Sequence, residues 1–329
     1  MTQSAAPTLA DLRKAGKAGL ARTLARLEAA EGAADVLSLL DEAFGDGRGH
    51  VIGITGPPGV GKSTLVSALI TTFRDADQTV AVIAVDPSSK RRGGALLGDR
   101  TRLTVDPEDP GIFVRSMAAR EELGGLAALT TPAVVLMRAL FDRVIVETVG
   151  VGQSETAIGD VADTVVFAVQ PASGDSLQFM KAGIVEIPHI AVVTKGDMQG
   201  HADRAARELE SALQLATDDA MAQVPIQIVS APERRGIDEL VATIDHHRST
   251  LGTPQALRDA RAKQAGLWLG HRIHDVFGRR GLERARQHGI LDAAPLRPFR
   301  AYAEVSAALE ANDKSTQSGT LGSTVASPA

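Results

Sequence analysis

Residues 56–64, GPPGVGKST, have the residue types and the spacing of a loop that holds the phosphates of a nucleotide. Gly56, Gly61, Lys62 and Ser63 satisfy the pattern G-x-x-x-x-G-K-[ST]. Glycines let backbone N–H groups point into one cavity, and the positive N-terminal end of the following helix adds to the attraction for an anion. We expect Lys62 to neutralise the β and γ phosphates and Ser63 to supply a hydroxyl to Mg²⁺. The other expected members of this nucleotide-binding loop are Pro57, Pro58, Gly59, Val60 and Thr64.

Two acidic residues close apolar runs that are typical of buried strands. Asp86 follows TVAVIAV, and Glu147 ends RVIVE. Because the carboxyl ends of parallel strands surround the ligand crevice, we expect both carboxylates to hold Mg²⁺ and to bias an attacking water. Gly150 lies three residues beyond Glu147, where its backbone N–H could sense a γ-phosphate. An acid at a strand end can also simply cap the next helix, and this alternative stays open.

A long, polar, glycine-rich segment contains LGDRTR, with Asp99 and Arg102. Long loops of this kind are often functional. Asp99 could be a further carboxylate around the metal ion, and Arg102 could be a cation that stabilises the transition state. A plain surface pair between the two side chains is the alternative.

The stretch TKGD, residues 194–197, follows the apolar run HIAVVT and could select the base. A carboxylate at Asp197 can accept hydrogen bonds from the N1–H and the exocyclic amine of guanine, a donor pair that adenine lacks. The aliphatic stem of Lys195 can lie along the base. A second strand-closing loop could direct a backbone N–H at the guanine carbonyl, and it consists of Ser230, Ala231 and Pro232. An ordinary turn remains the alternative for TKGD taken alone.

These residues need a sheet to position them, and the pattern of apolar runs predicts one. The runs are VIGIT (51–55), TVAVIAV (79–85), RVIVETV (143–149), TVVFAVQ (164–170), HIAVVT (189–194) and PIQIVS (225–230). They are mostly continuously apolar and alternate with helical patterns, which predicts an α/β fold with a doubly wound, mostly parallel sheet of the P-loop NTPase type.

Four segments are expected along the chain. Residues 1–48 form an N-terminal helical extension with a break near Gly32, and residues 49–250 form the P-loop domain. Residues 251–311 form a C-terminal helical arm, and residues 312–329 form a disordered tail. The adjacent His246 and His247 lie on a helical pattern and are expected to be solvated.

The composition excludes several classes of protein. The 329 residues carry a formal charge of −5, which argues against binding nucleic acid through a broad basic surface. The absence of cysteine rules out disulfides, thiolate metal sites and cysteine nucleophiles. Neither a signal peptide nor a membrane-spanning run is found, so we expect no membrane partner and a cytoplasmic location.

Taken together, the motifs resemble the MeaB/ArgK family of GTPases, within the SIMIBI class of P-loop proteins. The resemblance covers about residues 20 to 250 and is carried by GPPGVGKST, VDPSSKRRGGALLGDRTR, RSMAAREELGGLA, ETVGVGQSE, SGDSLQFMKAGI, TKGD and VSAPERRGIDEL. It implies that the chain binds GTP with Mg²⁺ and hydrolyses it to GDP. It further implies a chaperone that gates adenosylcobalamin loading of an acyl-CoA mutase, such as methylmalonyl-CoA mutase, and protects it from inactivation. Members form homodimers through the C-terminal arm.

The resemblance also assigns roles to residues. Lys62, Asp99, Arg102 and Glu147 match catalytic positions, and Ser63, Asp86, Asp99 and Glu147 match positions around the metal ion. Lys181 falls in a segment that responds to the nucleotide and faces the partner.

The sequence departs from the family pattern in its base-reading motif, and other functions stay open. Thr194 stands where the family has Asn, and Gly196 is also unusual. Glu121, Glu122 and the stretch 171–189 differ in detail too, which could indicate a mutase for branched or hydroxylated acyl-CoA as the client. The alternative functions are a GTP-dependent metallochaperone of the same class and a P-loop kinase for a small molecule.

Overall fold

The computed structural model describes residues 7–29, 34–87, 103–119, 129–148, 157–171, 188–216, 224–287, 289, 291 and 297–320. Asp99, Arg102, Glu121, Glu122, Gly150 and Lys181, named above, lie outside the described residues.

A seven-stranded sheet forms the centre of the molecule, and every neighbouring pair of strands is parallel. In chain order the strands are β1 (His50–Thr55), β2 (Val80–Pro87), β3 (Ile112–Ala119), β4 (Arg143–Glu147), β5 (Thr164–Val169), β6 (Ile190–Val193) and β7 (Ile226–Ile228). Their order across the sheet is β3-β2-β4-β1-β5-β6-β7. The chain therefore builds outward on both sides of β1, which confirms the doubly wound fold and places the crevice beyond the carboxyl end of β1.

All six predicted apolar runs contain strands, but β3 was not predicted. Its sequence IFVRSMAA places Arg115 and Ser116 in the middle of the strand, so it is not continuously apolar. β3 lies at the edge of the sheet beside β2 alone, where polar side chains can reach solvent or another element. Arg115 does so by donating to Glu28 at 2.6 Å.

Helices cover both faces of the sheet. They are α1 (Leu9–Ala29), α2 (Ala34–Gly45), α3 (Lys62–Asp75), α4 (Thr130–Leu140), α5 (Gln199–Ala216), α6 (Ile237–Thr250), α7 (Pro254–Gln287) and α8 (Pro298–Thr320), with a short 3₁₀ helix at Ile158–Asp160. The predicted helical regions at both ends of the chain are present. The backbone of α1 is non-helical at Gly16 and that of α7 at Gly278, so both helices are kinked.

The end of α8 differs from the sequence-based prediction. The composition predicts disorder from residue 312, whereas α8 continues to Thr320. Extending an existing helix adds a hydrogen bond for each residue that is fixed, so a polar segment without core-forming residues can still continue a helix that tertiary packing has started.

Each face of the sheet has its own apolar core. One face packs against α1, α2 and α4, with Ile83 among the strand residues that point to it. The other face packs against α3 and α6, with Val82 pointing to it. α5 packs against one face of β5, β6 and β7. Burial on both faces explains why the strands are continuously apolar rather than alternating.

The N-terminal and C-terminal helices meet at one aromatic cluster. The ring of Phe299, in α8, lies 5.0 Å from that of Trp268, in α7, and 6.4 Å from that of Phe44, in α2. Within the described part of the chain, no helix combines the length and the apolar character that a bilayer crossing requires.

Arg261 fastens α7 to the amino-terminal edge of the sheet. Its guanidinium donates to both carboxylate oxygens of Asp163 at 2.9 and 2.6 Å, and to the carbonyls of Gly47 and Gly49 at 2.5 and 2.7 Å. Asp163 also accepts from the N–H of Val51 at 2.8 Å. Burial alone would raise the pKa of Asp163, but the hydrogen bonds and the charge of Arg261, the Val51 N–H and His50 together outweigh it and lower that pKa.

A chain of hydrogen bonds runs along the same edge. Arg143 lies 3.2 Å from Nδ1 of His50, Nε2 of His50 lies 2.7 Å from the hydroxyl of Thr164, and that hydroxyl lies 2.8 Å from Nδ1 of His247. A guanidinium can only donate, so Nδ1 of His50 accepts and the ring hydrogen sits on Nε2. The Thr164 hydroxyl then donates to His247. Both histidines must be neutral for this direction of donation.

The surroundings keep both rings neutral. Burial lowers the pKa of His50 to about 3, opposed by Asp163 and assisted by Arg143. Burial, with the ring of His189 beside it, lowers the pKa of His247 to about 4. The expectation that His247 is solvated holds only in part, because its half-buried ring packs on His189 and bonds to Thr164, whereas His246 is exposed as expected.

We predict that the free energy of unfolding falls as the pH drops below about 6.5, the pKa of histidine in an unfolded chain. The unfolded chain binds protons there while His50 and His247 stay neutral until the pH approaches their lowered pKa values. Each histidine contributes a slope of up to about 1.4 kcal/mol per pH unit. Urea unfolding at a series of pH values between 7 and 4 measures it.

His50→Gln should reduce this slope, because the amide keeps hydrogen-bonding groups but does not titrate. His201→Gln, at an exposed histidine of α5, is the matched control and should leave the slope unchanged. Equal slopes in the wild type and both variants would contradict the assignment.

Candidate nucleotide site

The expected phosphate loop connects the end of β1 to the start of α3. Gly56 has φ of 138°, and a Cβ there would lie 2.1 Å from the carbonyl oxygen of Ala168, so only glycine fits. Gly61 caps α3 with a left-handed backbone, and none of the described side chains makes a capping hydrogen bond to this helix end. The first N–H groups of α3 are therefore directed toward the crevice, as an anion site requires.

Lys62 lies within the loop. Its side chain is buried, and the ammonium donates to the carbonyls of Gly56 at 2.6 Å and Pro57 at 2.9 Å. Pro58, Gly59 and Thr64 are exposed, whereas Pro57 and Val60 are buried. The Lys62 ammonium is thus held inside the loop that is expected to surround a phosphate.

Ser63 and Glu147 are brought together as the sequence predicts. Ser63 lies in the first turn of α3, which follows β1, and Ile54 of β1 lies opposite Glu147 of β4. The Ser63 hydroxyl donates to Oε1 of Glu147 at 2.8 Å. Glu147 is 8% exposed, so its carboxylate lies at the buried floor of the crevice. A hydroxyl and a carboxylate are oxygen donors of the type that Mg²⁺ prefers, so this pair fits the metal.

Of the other two predicted acids, Asp99 lies outside the described residues, and the backbone of Asp86 is described. The backbone of Asp86 lies in β2 two residues beyond Ala84, which is paired with Glu147, so both acids belong to the same edge of the sheet. Among the described residues, no group of three or more histidine, aspartate or glutamate side chains is arranged to hold a metal ion by itself. A metal here would therefore depend on Ser63 and phosphate oxygens as well as carboxylates.

The base-reading motif lies directly against the phosphate loop. The buried hydroxyl of Thr194 lies 2.5 Å from the carbonyl oxygen of Val60 and 3.0 Å from that of Val169. The ammonium of Lys195 lies 3.3 Å from the carbonyl oxygen of Gly59 and also bonds to Gln170. Two consecutive residues thus tie the end of β6 to the loop after β1.

Asp197 is exposed at the mouth of this region and is supported from the loop after β7. The hydroxyl of Ser230 lies 3.3 Å from Oδ1 of Asp197, and the Ser230 N–H donates to the carbonyl of Arg235 at 2.9 Å. Pro232 has no N–H. Of the three residues expected to contact the guanine carbonyl, Ala231 is therefore the one whose N–H remains suited to it.

Gly196 allows the two loops to approach each other. Its N–H donates to the carbonyl of Val229 at 2.8 Å, and a Cβ at this position would lie only 3.0 Å from Cγ2 of Ile228. The departure from the family pattern at Gly196 thus has a packing reason. Arg235 donates to the Gly196 carbonyl at 2.5 Å, a contact that the motif analysis missed. Gln170 was missed as well, although a polar residue closing the run TVVFAVQ was a visible signal.

Comparison with known proteins agrees with this geometry. The family described as methylmalonyl-CoA mutase-associated GTPase MeaB matches residues 20–284. A protein of Pyrococcus abyssi named as a GTPase is 45% identical over 222 residues, which cover 66% of this chain and 68% of that protein. The mouse methylmalonic aciduria type A homolog, a mitochondrial protein, is 36% identical over 228 residues, covering 68% of this chain and 55% of that protein.

The fold has a close counterpart among solved structures. The crystal structure of a LAO/AO transport system kinase superimposes with a TM-score of 0.64 and 27% identity, and the match covers 92% of this chain and 96% of that one. The agreement of the family match, the relatives and the fold leads to one conclusion. The chain belongs to the MeaB family of methylmalonyl-CoA mutase-associated GTPases.

Proposed function

We propose that this GTPase uses Mg²⁺-dependent GTP binding and hydrolysis to gate adenosylcobalamin loading of an acyl-CoA mutase and to protect that mutase from inactivation. The client is methylmalonyl-CoA mutase or a related mutase for hydroxylated or branched acyl-CoA. The association with a mutase is supported by the description of the family and by the name of the mouse relative.

The observation that carries the nucleotide part of the proposal is the direct contact between TKGD and the phosphate loop. Thr194 bonds to Val60, and Lys195 bonds to Gly59, so the two motifs are held next to each other. A nucleotide whose phosphates enter the loop would therefore present its base to Asp197. The Asp197 carboxylate selects guanine by accepting from N1–H and the amine, and the Ala231 N–H donates to the guanine carbonyl.

At the phosphate end, Lys62 offsets the charge of the β and γ phosphates, and Ser63 and Glu147 hold the metal ion. When bound, Mg²⁺ would neutralise charge that develops on the phosphate oxygens. We assign Asp86 and Asp99 to the same metal shell, Arg102 to stabilisation of the transition state, and Gly150 to contact with the γ-phosphate.

We further propose that the protein is a homodimer formed through the C-terminal helices. In α7, Leu267 is 52% exposed and Val276 is 48% exposed. Contact with a second copy of the helix would remove such a side chain from water, which is favourable.

Asp197→Asn should change base selection, because an amide cannot accept two hydrogen bonds from guanine but can pair with xanthine. We expect the preference for GDP over xanthosine diphosphate to fall roughly 100-fold, as judged by calorimetry. Asp203→Asn, at an exposed position of α5, is the matched control and should keep the wild-type preference. An unaltered preference in Asp197→Asn would remove Asp197 from the site.

Thr194→Val should weaken nucleotide binding, because the isosteric side chain leaves the Val60 carbonyl without its buried donor. The loss of such a bond is worth about 1–3 kcal/mol, so we expect the GDP affinity to fall about tenfold. Thr194→Ser keeps the hydroxyl and should stay within about twofold of the wild type. If the two variants bound GDP equally well, the hydroxyl would have no role in shaping the site.

The mutase part of the proposal is tested by co-purification with candidate cobalamin-dependent mutases, once with GDP and once with a non-hydrolysable GTP analogue. We expect one mutase to be retained in a nucleotide-dependent manner and to raise GTP turnover severalfold. Retention of none of them, with turnover unchanged by any, would reject the chaperone role while leaving the GTPase assignment intact.

A further inference from the structure

Asp197, the proposed base-reading residue, is exposed, and its carboxylate has a weak direct support. Among the described residues, the side chain that bonds to it is Ser230, whose hydroxyl lies 3.3 Å from Oδ1. Hydroxyl bonds of ordinary strength are about 2.5–3.0 Å long, so this contact alone holds the carboxylate loosely. Selecting guanine requires two hydrogen bonds to form at once, which depends on the direction of the carboxylate. The backbone that carries Asp197 must therefore be held by other groups.

The side chain of Arg235 holds that backbone. Its Nη2 atom donates to the carbonyl of Gly196 at 2.5 Å. This carbonyl and the Asp197 N–H belong to one planar peptide unit, so fixing the carbonyl fixes the plane from which the Asp197 side chain extends. A guanidinium makes a charge-assisted bond, which is roughly twice as strong as a neutral one. Because the Gly196 N–H donates to the Val229 carbonyl at 2.8 Å, Gly196 is bonded on both sides to the segment that follows β7.

The backbone of Arg235 supports Asp197 by a second route. The Arg235 N–H donates to the Ser230 carbonyl at 3.1 Å, and the Ser230 N–H donates to the Arg235 carbonyl at 2.9 Å. This antiparallel bridge closes the loop after β7. Ser230 is buried, and its hydroxyl is the group that contacts Asp197. Arg235 thus joins both supports of Asp197, the peptide before it and the serine beside its carboxylate.

The preceding arginine, Arg234, makes its contacts in another direction. Its Nη2 atom donates to Asp75 at 2.8 Å and lies 3.4 Å from the Thr72 hydroxyl, and both partners belong to α3. Arg234 therefore ties the loop to α3, whereas Arg235 ties it to the base-reading segment. The two side chains are 51% and 49% exposed, so substituting either one disturbs the apolar core little. The chain thus offers a matched control directly beside Arg235.

The other contact of the Arg235 side chain is compatible with its bond to Gly196. Glu233 lies 3.6 Å from Nη1, and both side chains are about half exposed. An ion pair between exposed side chains contributes little to stability, because water screens the charges. The ion pair uses Nη1 and the carbonyl bond uses Nη2, so one guanidinium makes both contacts.

We propose that Arg235 is a positioning residue for guanine selection, which acts on the Asp197 carboxylate through the Gly196 peptide and Ser230. This role rests on the proposed reading of the base by Asp197. Arg235 itself does not touch the nucleotide, so its effect disappears when residue 197 can no longer accept hydrogen bonds from guanine. That dependence separates a positioning role from direct binding and from a purely structural role.

The preference for GDP over inosine diphosphate measures this positioning. Inosine diphosphate keeps the N1–H of guanine but lacks its exocyclic amine, so the preference reports the second hydrogen bond that Asp197 accepts. Arg235→Met removes the donors but keeps a long side chain, and we expect it to reduce the preference about fivefold in calorimetry. Arg234→Met is the matched control and should keep the wild-type preference. Arg235→Lys retains a donor and should recover most of the preference.

Turnover kinetics separate positioning from catalysis. Arg235→Met should raise KM for GTP about fivefold and leave kcat within about twofold, because the base lies away from the phosphate that reacts. A thermal midpoint equal to that of Arg234→Met checks that the fold is kept. A fall in kcat with an unchanged KM would contradict the proposal.

The same substitution in an Asp197→Asn background tests the route of action. There Arg235→Met should change the GDP affinity by less than about twofold, since the carboxylate that it positions is gone. A further large loss of affinity in this background would show that Arg235 contacts the nucleotide itself, and the positioning role would be rejected.

The single substitutions distinguish failure of this role from failure of the proposed function. If Asp197→Asn lowers the preference for GDP and Arg235→Met leaves it unchanged, the positioning role is wrong and the reading of guanine by Asp197 stands. If the wild type shows no preference, or if Asp197→Asn leaves it unaltered, both are wrong.

Discussion

The hydrogen bond from the Thr194 hydroxyl toward the Val60 carbonyl joins the two halves of the proposed nucleotide site. The proposed phosphate loop follows β1, whereas the proposed base-reading residues follow β6 and β7, so their separation is not fixed by local sequence. A buried carbonyl must find a donor, and Thr194 is the residue that supplies it from across the sheet. Lys195 reinforces the contact through Gly59. Although Thr194 departs from the family pattern, its hydroxyl keeps a donor at this position, 2.5 Å from the Val60 carbonyl oxygen.

The strand order places the proposed metal-binding acids and the proposed base-reading residues on different sides of β1. β4 and β2 lie on one side and carry Glu147 and Asp86, and β5, β6 and β7 lie on the other. Glu147 therefore lies beside Ser63 on the first side, and the residues around Asp197 lie on the second. The close approach at Gly196 draws the loop after β7 toward this second side, which lets Ser230 support Asp197. The parallel sheet thus places the proposed phosphate-binding residues and the proposed base-reading residues on different sides of β1, where a single nucleotide could contact both.

The sequence was informative where function depends on short motifs and much less so where it depends on distant pairs. Ser63 and Glu147 are 84 residues apart, yet their contact was predictable because both follow strands whose carboxyl ends must meet. β3 was missed because an edge strand tolerates the arginine and serine that break its apolar run. The bonds of His50 to Arg143 and Thr164 join residues 93 and 114 apart and have no local signal. The burial of Arg138 was equally unpredictable from the sequence, since an arginine near a helix end ordinarily indicates a solvated position.

Polar side chains are hydrogen-bonded at both edges of the sheet, but the carboxyl edge also has backbone donors without a side-chain cap from the described residues. At the amino edge, the polar side chains of His50, Arg143, Asp163 and Thr164 are buried and bonded to one another or to α6 and α7. At the carboxyl edge, Gly61 leaves the start of α3 without a side-chain cap from the described residues. Satisfied groups stabilise a fold, whereas backbone donors left at a crevice are suited to a ligand. The same strands can therefore fasten the C-terminal helices at one end and present a phosphate site at the other, because β1 passes from His50 to Thr55 through an apolar interior that keeps the two polar regions apart.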